Sequence, residues 1–444
     1  MQRAQVMFAG VVSAVVMVGF ASDASAIPVF ARKYRTSCTT CHIGFNKLNS
    51  FGEAFRQNGY LIPGGKDAAL VKEEPVSLGA EAWKRVFPEA VWPGAIPSNV
   101  PIALEVVQRM NMKENTTPST NFNFPHEFSL LTAGTLTDNI SWFGEVALDE
   151  DGENKAAVER MFVRFNNLFS EGGWGRFGWL PENAFSLKVG KFDLPIGPIA
   201  EPARRTLSRP IVHEFTIGSN AFKFHDAQPG IEAGGVLFSR FGYQAAIVNG
   251  NNSVEDNNNA KDLYYRFSYK LGGMGLDGTG GAPEKELAQT DNWVDNAVTL
   301  GTFGYFGRAP ITGADFRYDN FRRLGWDARV NYRNLDLYGG FQWGRDEKPS
   351  TTITIRNVDA TAYFLEGDYV IKPWLIGALR YEGVKFDEKL SGAKKTNNAI
   401  VANLAAFVRA NVRMMIEAVL PLTNEDKQIN SGNKKLVFDL TYLF

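Results

Sequence analysis

Cysteine is almost absent from this chain, with two in 444 residues, and histidine is nearly as rare, with four. With no second cysteine pair, a four-cysteine zinc site is excluded. Net charge is also lacking: the formal value is −1 at pH 7, so no basic face is offered to nucleic acid. Beyond residue 26 no apolar run approaches the roughly 20 residues of a membrane-crossing helix. Any crossing of a bilayer must then be made by strands closed into a barrel. Neither a nucleophile–base constellation nor a phosphate-cradling loop is present.

What is there begins with an export signal over residues 1–26. Arg3 supplies a positive start, Val6 to Phe20 an apolar run, and Ala24-Ser25-Ala26 a small-residue cleavage site. The apolar run is too short to span comfortably, and no stop-transfer charges follow it. Ile27 at the new N-terminus is not cysteine, which excludes a lipoprotein signal.

Both cysteines fall within five residues, Cys38-Thr39-Thr40-Cys41-His42. Outside the cytoplasm such a pair can be a disulfide. A redox-active pair would open a helix in a βαβ unit, and no such unit is visible. C-x-x-C-H instead reads as covalent c-type haem attachment. The two thiols add to haem vinyl groups, and the adjacent imidazole becomes the proximal iron ligand. Cys38 and Cys41 are therefore the expected attachment points of one haem c, with His42 on its iron.

After the motif, Phe45, Leu48, Phe51, Ala54 and Phe55 recur at helical steps, and Asn58-Gly59 supplies a stop. Residues 61–100 read as a Pro- and Gly-rich linker, with a short helix near Ala80 to Phe87. The haem segment and linker together cover 27–97, which is small for a free-standing domain and predicts packing on something larger.

From 98 to 444 short alternating segments take over. In Trp326 to Arg333 every even position is apolar and every odd one polar. In the last segment Leu436, Phe438, Leu440, Tyr442 and Phe444 share one face, and Lys435, Asp439 and Thr441 the other. From Asn403 to Arg413, Leu404, Ala406, Val408, Ala410 and Val412 oppose Asn403, Arg409, Asn411 and Arg413. A soluble sandwich and an outer-membrane barrel both alternate in this way. The length, enough for sixteen units of about 22 residues, favours the barrel. So do long loops such as NGNNSVEDNNNAKD and GGMGLDGTGGAPEKELAQTDN, the scattered tryptophans (Trp142, Trp179, Trp326, Trp343, Trp374) and the terminal Phe444. The expected fold is mainly β: a transmembrane antiparallel barrel of about sixteen strands with a small α-helical haem-bearing plug.

Phe30-Ala31-Arg32, the CTTCH motif, Leu48-Asn49-Ser50-Phe51-Gly52 and Gly59-Tyr60, followed by the expected barrel, resemble the fused monohaem cytochrome–porins of bacterial outer membranes. The best-known members belong to iron-oxidising bacteria. Asn46 departs from the family pattern, which often carries proline there. The resemblance implies a haem segment within the barrel or on its periplasmic side. It further implies electron transfer from extracellular Fe(II), an Fe(II) oxidase activity, to a periplasmic carrier such as a soluble cytochrome. Outward transfer to extracellular acceptors, a solute porin with a haem appendage, and a soluble periplasmic cytochrome are the alternatives.

For the distal iron ligand the candidates are His126, His213, His225, Met110, Met112, Met161, Met274, Met414 and Met415. The connection from Leu194 to Pro229 reads as a solvated surface loop or as one folded into the pore. In the second case Arg204, Arg205 and Arg209 would pair with haem propionates, and His213, Glu214, His225 and Asp226 would form a transient iron site. Arg329, Arg333, Arg409 and Arg413 are expected to line the lumen.

Overall fold

A computed structural model describes residues 29–63, 67–74, 76–77, 95–96, 98, 100–137, 139–150, 156–170, 178–199, 203–253, 255–281, 293–311, 317–351, 357–389, 391–429 and 432–444. The expected export signal and the short helix near Ala80 lie outside these residues.

Sixteen strands follow one another around a closed barrel. The first eight are β1 (Ile102–Lys113), β2 (Thr120–Thr137), β3 (Ile140–Glu150), β4 (Ala157–Phe165), β5 (Ser186–Phe192), β6 (Gln228–Leu237), β7 (Phe241–Val248) and β8 (Asp262–Gly272). The others are β9 (Ala297–Ile311), β10 (Arg317–Tyr332), β11 (Leu335–Asp346), β12 (Val358–Lys372), β13 (Leu375–Glu388), β14 (Lys394–Arg409), β15 (Val412–Asn424) and β16 (Lys435–Leu443). Each pairs antiparallel with the next, and β16 closes on β1 with Leu440 opposite Gln108. Phe444 adds a reciprocal backbone pair with Leu104 beyond that ladder, so the last residue helps seal the seam.

The alternation runs apolar-out. On β10, Trp326 and Tyr332 are 57 and 55 % exposed, whereas Asp327 and Arg329 are 6 and 5 % exposed. A sandwich core would need the reverse. Lipid as the outer solvent accounts for it. Among the described residues no helix is long and apolar enough to cross a membrane.

Two-residue turns join β10 to β11, β12 to β13 and β14 to β15 at the end where β1 begins and β16 finishes. Short turns of this kind mark the periplasmic end. One expectation fails here. NGNNSVEDNNNAKD lies at the opposite end, but the long connection 273–296 joins β8 to β9 at the turn end. The physical reason is a bracing role. Asn58 donates to the Asp277 carbonyl at 3.0 Å, and Gly278, at φ +83°, sits so near Pro63 that a Cβ would lie 2.2 Å from its ring.

The N-terminal segment occupies the lumen with α1 (Val29–Tyr34), a 3-10 turn at Cys38–Thr40, α2 (Ser50–Gln57) and α3 (Asp67–Leu70). Its core is Tyr34, Phe51, Phe55 and Ile62, with Phe30, Tyr60 and Met274 against it. The apolar stripe begins later as helix than expected. Residues 43–48 form turns because Gly44 takes φ +66° and Asn49 caps α2, accepting from the Gly52 amide at 2.8 Å. The stop at Asn58-Gly59 closes as expected: Tyr60 donates to Phe55 and Gly59 to Arg56, the paired bonds of a Schellman ending.

The connection 193–227 also folds into the lumen and carries α4 (Ile211–Glu214). Phe222 and Phe224 pack on Phe303, Tyr305 and Phe321, and Ile211, Phe215 and Ile217 pack on Val384, Phe386 and Val401. The solvated-loop reading is thus overturned. The wall facing this segment carries apolar patches on its inner side, which give the connection a surface to bury against.

Candidate cofactor site at the motif loop

The CTTCH loop is built by local bonds. Ser37 Oγ accepts from the Thr39 amide at 3.3 Å, and the Cys41 and His42 amides both donate to the Cys38 carbonyl. Asn49 then ties loop to helix, donating to Thr40 O at 2.9 Å. Gly52 lets α2 approach: a Cβ there would lie 2.2 Å from the Cys41 carbonyl oxygen. Both thiols are free in this structure.

Loop and barrel wall enclose a cavity of about 460 Å³ that Cys38, Cys41 and His42 line together. Ligand cavities run from about 300 to 1,000 Å³. Its apolar walls include Phe30, Phe51, Phe55, Leu131, Phe143 and Phe192. Tyr60 stacks on Phe143 at 6.0 Å, and Phe143 on Phe162 at 5.9 Å. Its floor reaches Ala410, Asn411 and Leu443 at the turn end, and its roof is Leu194, Pro195, Arg204 and Arg209 of the inward connection. The polar wall is balanced: Glu105, Glu127, Glu145, Glu159 and Asp193 face Arg56, Arg160, Lys188, Arg204 and Arg209. Arg160 donates to Asp193 at 2.7 Å and to Glu145 at 2.6 Å.

Burial pushes the Cys41 thiol up to about 12 and raises Cys38 above the usual thiol range. Burial also pushes the His42 imidazole down to about 4. At neutral pH all three are uncharged, the form of imidazole that binds iron. His42 Nδ1 is buried without a hydrogen-bond partner. Two free thiols and a neutral imidazole on one side of an apolar-walled cavity fit a haem attached through Cys38 and Cys41.

Buried charges hold the segment in place. Lys47 Nζ sits between Asp336 and Asp368, 4.4 Å from the Tyr338 ring centre. Arg329 donates to Asp336 at 2.8 and 2.9 Å and also grips Glu53 of α2. Arg413 donates to Phe45 O at 3.2 Å and to Asn46 Oδ1 at 3.1 Å, a side-chain contact that proline at 46 could not make. Replacing Lys47 with methionine leaves Asp368 as an uncompensated buried charge, at a cost of about 3 kcal/mol. Limited trypsinolysis is expected to cut the N-terminal segment of Lys47→Met while the barrel stays intact, and Lys47→Arg should restore protection.

Several expected roles change. Arg205 does not face the cavity; it is buried and donates to the carbonyls of Ile43, Gly44 and Phe45, fixing the motif loop. Arg204 and Arg209 do line the cavity. Of the four wall arginines, Arg329 and Arg413 are inward, but Arg333 and Arg409 are exposed, the first within a two-residue turn and the second beside one. Among the described residues no group of three or more His, Cys, Asp or Glu could hold a metal ion, so the iron site at His213, Glu214, His225 and Asp226 is not formed. His225 instead lies 3.3 Å from Glu214 and 3.1 Å from Asp226, while His213 is buried beside Tyr338 and Phe364. None of the nine distal-ligand candidates lines the cavity.

Lys47 and the wall carboxylates escaped sequence reading. Glu105 and Glu145 could have been found on the polar phase of their strands, but Lys47 and Asp368 are too distant in sequence for any local signal.

No protein-family model matches the chain, and no curated protein matches it. Solved structures do. An anion-selective porin from Comamonas acidovorans aligns over 77 % of this chain and 98 % of its own at 9 % identity, TM-score 0.53. OmpT of Vibrio cholerae in trimer form covers 77 and 98 % at 11 % identity, TM-score 0.52. The outer-membrane channel DcaP of Acinetobacter baumannii covers 83 and 100 % at 10 % identity, TM-score 0.50. At these identities the likeness shows the fold: an outer-membrane porin-type barrel.

Proposed function

We propose that this protein is an outer-membrane electron conduit in which Cys38 and Cys41 carry one haem c inside the barrel and His42 binds its iron. The observation that carries this reading is the cavity lined by all three motif side chains within a lumen that the N-terminal segment and the 193–227 connection fill. When bound, haem supplies a one-electron iron couple. The chain's own residues do the rest. The apolar wall excludes bulk water, Arg204 and Arg209 offer guanidinium partners to propionates, and Arg205 and Arg413 fix the motif loop. The filled lumen supports a conduit over a solute porin. The inward direction, from extracellular Fe(II) to a periplasmic carrier, follows the family that the motif segment resembles.

The test is a proteoliposome with oxidised cytochrome c enclosed and Fe(II) outside. The enclosed cytochrome should become reduced only when haem-loaded protein is present, without ion conductance. Conductance of porin size, or no reduction of the enclosed cytochrome, would contradict the reading.

A further inference from the structure

The proposed conduit leaves open what binds the iron opposite His42, and the placement of the histidines and methionines among the described residues answers it. Resting on that reading, we propose that the haem has His42 as its one strong protein ligand. Its sixth position is then open to a neutral diatomic molecule such as carbon monoxide.

All nine candidates are placed, and each is engaged elsewhere or faces away. His126 bonds Arg109, which in turn bonds Asp439. His213 is a buried residue of α4, and His225 bridges Glu214 and Asp226. Met161 is on the outer face, 49 % exposed. Met110 and Met112 alternate with the lumen-side Arg109 on β1. Met414 alternates with the buried Arg413 and Met415 on β15. Met415 is buried, with its sulfur 3.9 Å from Asn403 Nδ2. Met274 packs on the plug core but is not part of the cavity wall.

The other donors on the wall include carboxylates, the Tyr34 and Tyr60 phenols and Lys188 Nζ. Arg160 already holds Glu145 and Asp193, Asp67 holds the Tyr34 hydroxyl, and Glu232 holds Lys188 at 2.6 Å. Oxygen ligands suit hard cations, while ferrous haem takes imidazole and softer donors. Reduced iron held by His42 would meet no second imidazole and no thioether among the described wall residues. Without methionine the couple also lacks the ligand that raises haem potentials.

The experiment uses purified holoprotein in detergent. A pyridine haemochrome first establishes whether covalent haem c is present. The dithionite-reduced protein is then titrated with carbon monoxide, recording the Soret band. The expected result is a high-spin reduced spectrum and a full Soret shift at one carbon monoxide per haem. A positive haemochrome with a low-spin reduced spectrum and no shift overturns the open site while leaving the haem reading intact. So does a shift seen only in Met274→Leu or Met415→Leu, which would identify that methionine as the ligand. A negative haemochrome overturns both.

Discussion

The double variant Cys38→Ala, Cys41→Ala is expected to assemble its barrel and to carry no covalent haem. It should reduce none of the enclosed cytochrome c in the liposome assay, a complete loss rather than a slowing. The barrel survives because its fifteen sequential ladders and the closing seam use neither cysteine. The N-terminal segment should also stay seated, since Lys47, Glu53, Phe45 and Asn46 hold it through wall residues. The variant should therefore remain non-conducting in planar bilayers. That outcome separates a redox role for the motif from a structural one. If the cysteines mainly kept the plug in place, their loss would open a pore.

The second large effect is expected at Arg380. Its side chain is fully buried, donating to Glu366 at 2.9 Å, to Glu382 at 3.0 Å and to Ser208 Oγ at 2.9 Å. Neighbouring carboxylates complete the clasp: Glu417 accepts from the Leu207 and Ser208 amides, and Glu382 from the Ile211 amide. Arg380→Met leaves Glu366 and Glu382 buried without their cation, a loss of about 3–5 kcal/mol. The inward connection should come free of the wall, so trypsin should cut after Arg204 and Arg205, sites that stay protected in the parent protein. Adding Glu366→Gln and Glu382→Gln should recover most of the lost stability, because the buried charges go with the arginine. Failure of that rescue would mean that Arg380 acts through packing rather than charge.

The barrel was legible because lipid outside and polar groups inside impose a period of two, written plainly in Trp326 to Tyr332. The motif loop stood out as a candidate site because both cysteines of the chain fall in one C-x-x-C-H stretch. Much of the interior was not. Residues 43–48 share the apolar spacing of a helix, yet Gly44 and the Asn49 cap break it. Connection 273–296 has the composition of an outer loop but braces Pro63 and Asn58 at the turn end. The 193–227 segment reads as polar from its arginines and histidines, whereas its phenylalanines and isoleucines carry the packing. Arg205 was expected to meet a propionate and instead meets three carbonyls next to His42. Such pairings join residues up to 368 apart in sequence, as for Phe45 and Arg413, where periodicity says nothing.

The central claim is that a covalent haem sits within this barrel, and intact-mass spectrometry of the protein purified from outer membranes tests it most directly. The account predicts a chain beginning at Ile27 with the mass of one haem added. A bare chain, or one lighter by two hydrogens with Cys38 and Cys41 joined as a disulfide, would contradict it.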